Sequence, residues 1–265
     1  MLGISSSTAP VIRSQFRELL KLMSSHLEYY PFLLGWNISL ADFAWFGSFY
    51  AHLSRDPVPS FIIKTEAPLV FDWVERVQGL ARWAGQSVER WDTRSKMWLP
   101  TYGTTRTEQL APKQENVPES SSKIAGLLLR DYVHVLYGTL NRCLEYIKTR
   151  AASHSSNRVP LPRVLGSHDF TLHTATPDEP TSTTGERLVY THAVWMFDRL
   201  ISRTYTSPEQ IQASNAWLLS LDSEGVILNT WIECAALWRQ GGWRIERNEN
   251  KLVAITEKQS TSSHL

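Results

Sequence analysis

Tyr50, His52, Arg55 and Asp56 crowd the end of one apolar-patterned segment and offer a phenol, an imidazole, a guanidinium and a carboxylate within seven residues. If they line a cleft, such a set could bind and polarise an electrophilic substrate or receive a second domain. The plainer reading is an Arg55–Asp56 surface pair, worth at most about 1 kcal/mol, and a histidine satisfied by a helix C-terminus. The residues alone favour that reading.

Other constellations lack the spacing that their chemistry requires. Ser167, His168 and Asp169 have the residue types of a hydrolase triad, but they are sequence neighbours whose side chains need not converge, and no G-x-S-x-G elbow is present. His154, His168, His173 and His192 fit no zinc spacing, and there is no H-E-x-x-H. A P-loop and a G-x-G-x-x-G are likewise missing from the sequence. Arg82-Trp83, Arg90-Trp91, Arg94, Lys96 and Trp98 interleave cations with rings, as a platform for single strands would. Glu89 and Asp92 interrupt that run, and arginine stems commonly cover tryptophans on a helical core. No residue is therefore assigned to catalysis, to a cofactor or to a metal.

Bulk properties agree. The chain has 27 basic and 26 acidic residues, a net charge of +1, so no global field draws it to nucleic acid or an anionic membrane. Neither is expected as a partner. The 42% hydrophobic residues suffice for a substantial core. Cys143 and Cys234 have no ligand spacing and read as reduced, buried thiols of a cytoplasmic protein. Residues 1–10 lack the basic and apolar regions of a signal peptide. Tyr29 to Leu53 is long enough to span a bilayer, but Pro31, Gly35, Asn37 and Asp42 interrupt it, so it reads as a turn and a buried helix.

The elements follow from periodicity. Val11, Ile12, Phe16, Leu19, Leu20, Met23 and Leu27 predict an amphipathic helix over about 8–30. Ser39-Leu40-Ala41-Asp42 is a capping-box pattern, which predicts a helix from Ser39, with Ile38 and Phe43 placed for a hydrophobic staple. Loss of either cap is expected to cost about 1 kcal/mol. Phe43, Phe46, Gly47, Tyr50 and Leu53 are expected to form one buried stripe, stopped by Pro57 and Pro59. A helix is expected over about 66–84 with Val70, Trp73, Val74, Val77 and Leu80 inside. Three apolar helical faces in succession imply a bundle. Residues 101–122 read as a linker, within which Glu119-Ser120 suits a helix start.

Beyond it, 124–147 predicts a long helix with Leu127, Leu128, Val133, Leu136, Tyr137, Leu140, Leu144 and Ile147 in its core, and 151–158 breaks the pattern. Segments 164–173 and 186–190 suggest a small hairpin. Helices are expected over 194–205, from Ser207 through 219, and over 226–238, with closing strands at 243–246 and 252–255.

Pro31-Phe-Leu-Leu-Gly35 followed by Ile38-Ser-Leu-Ala-Asp-Phe43 resembles the capping-box segment of the glutathione transferase C-terminal domain, in which a Leu-Gly turn precedes Ser/Thr-x-x-Asp and an aromatic residue. The likeness continues through Tyr50-Ala-His-Leu-Ser-Arg-Asp-Pro57 and Ala67-Pro-Leu-Val-Phe-Asp-Trp-Val-Glu-Arg76, resembles a bacterial-type subgroup, and covers roughly residues 8–80. Pro160-Leu-Pro-Arg-Val-Leu-Gly166, His168-Asp-Phe170 and Trp195-Met-Phe-Asp-Arg199 resemble that subgroup's C-terminal extension.

The resemblance implies a mainly α fold: a transferase-type helical bundle over 1–100, a linker over 101–122, and a helical extension with short β-hairpins over 123–265. In the family an N-terminal thioredoxin-like domain supplies the thiol-activating residue, a cis-proline and a Glu/Gln-Ser pair. None of these is placed in this sequence, whose Glu119-Ser120 lacks the preceding strands. The implied function is a glutathione-transferase-like protein, a fragment or divergent member unable to activate glutathione alone. Glutathione then enters only with a thioredoxin-like domain, and the partner is a second copy or that domain. The alternative is a non-catalytic helical protein-interaction module.

Overall fold

The computed structural model describes residues 3–85, 88–92, 97–101, 116–154, 157–173 and 182–256, with side chains described over 3–80, 116–153, 157–173 and 182–256. Helices dominate. In chain order they are α1 (Thr8–Leu27), α2 (Leu40–Ser48), a π-helical turn (Phe49–Leu53), α3 (Pro57–Glu66), α4 (Pro68–Gly85), α5 (Glu119–His154), α6 (Thr191–Thr204), α7 (Pro208–Ser220) and α8 (Val226–Gly241). The strands are β1 (Val88–Asp92), β2 (Met97–Thr101), β3 (Arg158–Leu161), β4 (Val164–His173), β5 (Ser182–Tyr190), β6 (Trp243–Asn248) and β7 (Lys251–Thr256). Among the described residues no helix is long and apolar enough to cross a membrane. The chain divides into two compact units, Phe16–Ile124 and Met1–Gln15 with Ala125–Leu265.

In the 16–124 unit the core is helical. Leu20, Met23 and Leu27 of α1 and Val70, Trp73, Val74 and Val77 of α4 are buried, and Leu80 is half-buried. The stripe expected on α2 is displaced in part: Phe46, Tyr50 and Leu53 face inward as expected, Phe43 and Gly47 are exposed, and Asp42, Trp45 and Phe49 complete the inward face. The displacement has a polar cause. Asp42 is itself wholly buried, so the inward face centres on a carboxylate that periodicity would place outside.

Helix α3 was not expected. Pro57 and Pro59 do end the preceding helical run, but they also open a new one, because proline in a first turn surrenders only an amide that has no intrahelical partner. Ala67 separates α3 from α4 with φ −143° and ψ 59°, since a residue before proline avoids helical geometry. Thus α4 starts at Pro68 rather than Glu66. Backbones of β1 and β2 pair antiparallel, with Trp91 opposite Trp98. Of the cation–aromatic run, Arg94 and Lys96 lie outside the described residues, as does 102–115 of the expected linker. Its last part is helical: Glu119 and Ser120 form the first turn of α5, where Glu119 pairs with Lys123 at 3.0 Å.

In the other unit α5 is the spine. Val133, Leu136, Leu140, Cys143, Leu144 and Ile147 are buried, whereas Leu128 and Tyr137, expected inside, are 37% and 36% exposed. The helix continues to His154, past the break expected at Ala151. β4 and β5 form the expected hairpin, longer on its second strand, with Phe170 opposite Gly185. A side chain at Gly185 would sit 2.9 Å from the Phe170 ring. Helix α8 ends on Gly242 at φ +67°, a left-handed cap that turns the chain into β6. The closing hairpin β6–β7 gains a strand not expected, giving the order β3-β7-β6. Pro160 obscured β3; on this edge strand its missing donor costs the ladder little.

Candidate functional site

Asp42 organises the first unit. Its Oδ2 accepts from the Ser39 amide at 2.9 Å and the Ser39 hydroxyl at 2.7 Å, and Ser39 is extended at φ −131° and ψ 170°. Its Oδ1 accepts from the Leu33 amide at 2.8 Å and the Trp73 Nε1–H at 3.0 Å. One carboxylate therefore ties the start of α2, the preceding turn and α4. Four donors are what let an ionisable group sit fully buried. Ile38 packs on the core, while Phe43 is 43% exposed and is not among the side chains packed there.

The turn before α2 is held from several sides. Phe32 and Gly35 exchange backbone bonds of 3.1 and 2.9 Å, and Gly35 takes φ +117°, which only glycine adopts without strain. Ser121 Oγ donates to the Leu33 carbonyl at 2.7 Å, and Arg76 to the Pro31 carbonyl at 2.6 Å. His26, wholly buried, lies 2.8 Å from the Phe32 carbonyl through Nε2 and 2.7 Å from Ser120 Oγ through Nδ1. A carbonyl only accepts, so Nε2 carries the proton and Nδ1 accepts from Ser120.

Burial lowers the His26 pKa, outweighing the Phe32 bond and the Asp42 charge, which favour the cation. The neutral ring therefore belongs to the fold and the charged ring to the unfolded chain. Stability from this group is complete above the unfolded pKa of about 6.5 and falls as pH drops below it, by no more than about 1.4 kcal/mol per pH unit. Urea unfolding of the 16–124 unit at pH 7.5 and 5.5 should show this loss, and His26→Gln should flatten it. An unchanged pH slope in the variant contradicts the assignment.

The other expected residues gather around Tyr50 on the π-helical turn, whose closing bond runs from the Ser54 amide to the Phe49 carbonyl at 2.7 Å. Tyr50 Oη accepts from Arg55 Nη2 at 2.8 Å and from Gln78 Nε2 of α4 at 2.7 Å. The Arg55 guanidinium lies 4.8 Å from the Tyr50 ring centroid, and Phe46 stacks on that ring at 4.9 Å. Arg55 thus turns to Tyr50, and the expected Arg55–Asp56 pair does not form. Asp56 instead precedes α3 as its N-cap residue, without a side-chain cap bond. His52 is exposed. Gln78 had no signal in the sequence, because its partner lies 28 residues away.

In the second unit the triad residues diverge. Ser167 Oγ meets Glu186, His168 lies between Thr139 Oγ1 at 3.2 Å and the Asp169 carbonyl at 2.7 Å, and Asp169 pairs in register with Glu186. His173 Nδ1 lies 2.8 Å from Asp131 Oδ1, whose other oxygen accepts from Gln15 at 2.6 Å. Asp198 of α6 is buried and accepts from Trp238 Nε1 at 2.7 Å and the Ile245 amide at 3.1 Å. Cys143 and Cys234 are free, and burial pushes both thiols up to about 12, far from a nucleophilic thiolate at neutral pH. Among the described residues no group of three or more His, Cys, Asp or Glu is placed to hold a metal ion.

Comparison with known proteins adds one assignment. Residues 7–80 match the family model described as glutathione S-transferase, C-terminal domain. No curated protein and no solved structure matches the chain. The matched segment holds the turn, the Ser39–Asp42 pair and most of α4, and its regular elements are helices, joined by turns that include the Phe32–Gly35 bridge. Residues 7–80 are a glutathione S-transferase-like C-terminal domain.

Proposed function

We propose that this chain is a glutathione-transferase-like helical protein that does not activate glutathione by itself and works by engaging a partner, either a second copy or a thioredoxin-like domain, in the cytoplasm. The observation carrying the reading is the Asp42 hub inside the matched segment, which builds the helical domain and commits its best-buried carboxylate to folding rather than to chemistry. Neither cysteine of the chain offers a thiolate nucleophile of its own, because burial pushes both thiols up to about 12.

Engagement of a partner is supported by large apolar side chains left exposed on two helices. Leu40 and Phe43 at the start of α2 are 86% and 43% exposed, and Val58 and Phe61 of α3 are 68% and 69% exposed. Exposed apolar groups of this size mark interaction surfaces where they lie together in one patch. The test is passage of the purified chain over glutathione-agarose followed by a conjugation assay with an aryl halide. The expected result is no retention and no turnover above the uncatalysed rate. Clean retention with turnover would contradict the reading and make the chain a self-sufficient transferase.

A further inference from the structure

We propose that Tyr50, Arg55 and Gln78 form a binding site for the carboxylate of a small organic acid with an apolar or aromatic body. The phenol oxygen accepts two N–H donors from different elements, Arg55 just after the π-helical turn and Gln78 on α4. With both acceptor directions occupied, the Tyr50 proton must point elsewhere, and no acceptor among the described residues takes it. Arg55 is exposed and forms no ion pair among the described residues, although Asp56 is its neighbour in sequence. Beside the Gln78 amide the cluster therefore offers one phenolic O–H, the free N–H groups of one guanidinium, and a single positive charge.

That set selects its ligand class. A carboxylate carries one negative charge and two acceptor oxygens, which match one guanidinium and one hydroxyl, and charge-assisted bonds of this kind are the strong ones. A phosphate dianion would leave a charge uncompensated. Phe46, stacked on the Tyr50 ring, lies beside the cluster as an apolar surface for the rest of the molecule. The π-helical turn is a rare geometry that often marks functional positions. Here it carries Tyr50 itself. The site lies inside the matched segment but shares no residue with the Asp42 hub that carries the reading above, so the failure of one leaves the other standing.

The experiment is a benzoate titration of the ¹⁵N-labelled full chain, followed through the Arg55 Nε–H and the Gln78 side-chain amide. The expected result is a saturable shift at millimolar benzoate. Tyr50→Phe, which removes only the hydroxyl, should weaken it about tenfold, the loss of one charge-assisted bond. Arg55→Gln should abolish it. Gln78→Glu, which gives the phenol proton an acceptor, should abolish it as well while leaving the remaining spectrum in place. The proposal is overturned if benzoate gives no saturable shift up to tens of millimolar, if Tyr50→Phe binds as tightly as the wild type, or if inorganic phosphate binds more tightly than benzoate.

Discussion

Replacing Asp42 by alanine is expected to cost the 16–124 unit about 3–5 kcal/mol, a large share of what a domain of this kind has to lose. The magnitude follows from what the substitution leaves behind. The Leu33 amide and the Trp73 indole N–H are buried and lose their acceptor together, and each unpaired buried donor costs about 1–3 kcal/mol. The Ser39 amide and hydroxyl lose theirs at the more accessible edge. Hydrogen exchange across a urea series, read on peptides of α4, isolates this unit from the other. A midpoint moved by no more than a single helix cap allows, about 1 kcal/mol, contradicts the hub.

Asp198→Ala should act the same way in the second unit, at about 2–4 kcal/mol. The carboxylate on α6 accepts from Trp238 on α8 and from the backbone of Ile245 on β6. Its loss therefore unpins one helix and one strand at once. Trp238 is 1% exposed, so water cannot replace the lost acceptor without opening the core. Peptides of α8 and β6 should lose protection, and an unchanged α8 would show that Trp238 is held by packing alone.

These two residues show what the chain reveals unaided and what it hides. Ser39-x-x-Asp42 is legible because a cap is local: its donor and acceptor lie three positions apart, and the Asp42 carboxylate does meet the Ser39 amide. The Leu33 and Trp73 bonds on the same carboxylate are set by tertiary packing, 9 and 31 residues away, and no spacing rule announces them. Asp42 was thus legible as a cap worth about 1 kcal/mol and is in the fold a buried junction worth several. Asp198 stood in a recognisable segment, Trp195-Met-Phe-Asp-Arg199, but its role depends on Trp238 and Ile245, 40 and 47 residues on.

The fold class and most helices were readable because amphipathic periodicity survives in one dimension. Where residues have two uses, the pattern misled. Pro57 and Pro59 end one helix and begin the next, and Pro160 sits in a real strand because that strand is an edge. The candidate cluster was readable in part: Tyr50 and Arg55 come together, His52 and Asp56 do not join them, and Gln78 arrives from α4. The His26 contact with Ser120 was beyond reach for the same reason, since 94 residues separate them.

The central claim is that one buried carboxylate joins the turn, the capped helix and α4 of a transferase-like domain. Exchange of the Trp73 indole N–H in the intact protein tests it most directly. The account predicts slow exchange, with the same protection relative to its free group as the Leu33 amide has, because both donors share Asp42 Oδ1 and are freed by one opening event. A Trp73 indole exchanging at the rate of free tryptophan, with Leu33 protected independently, would contradict it.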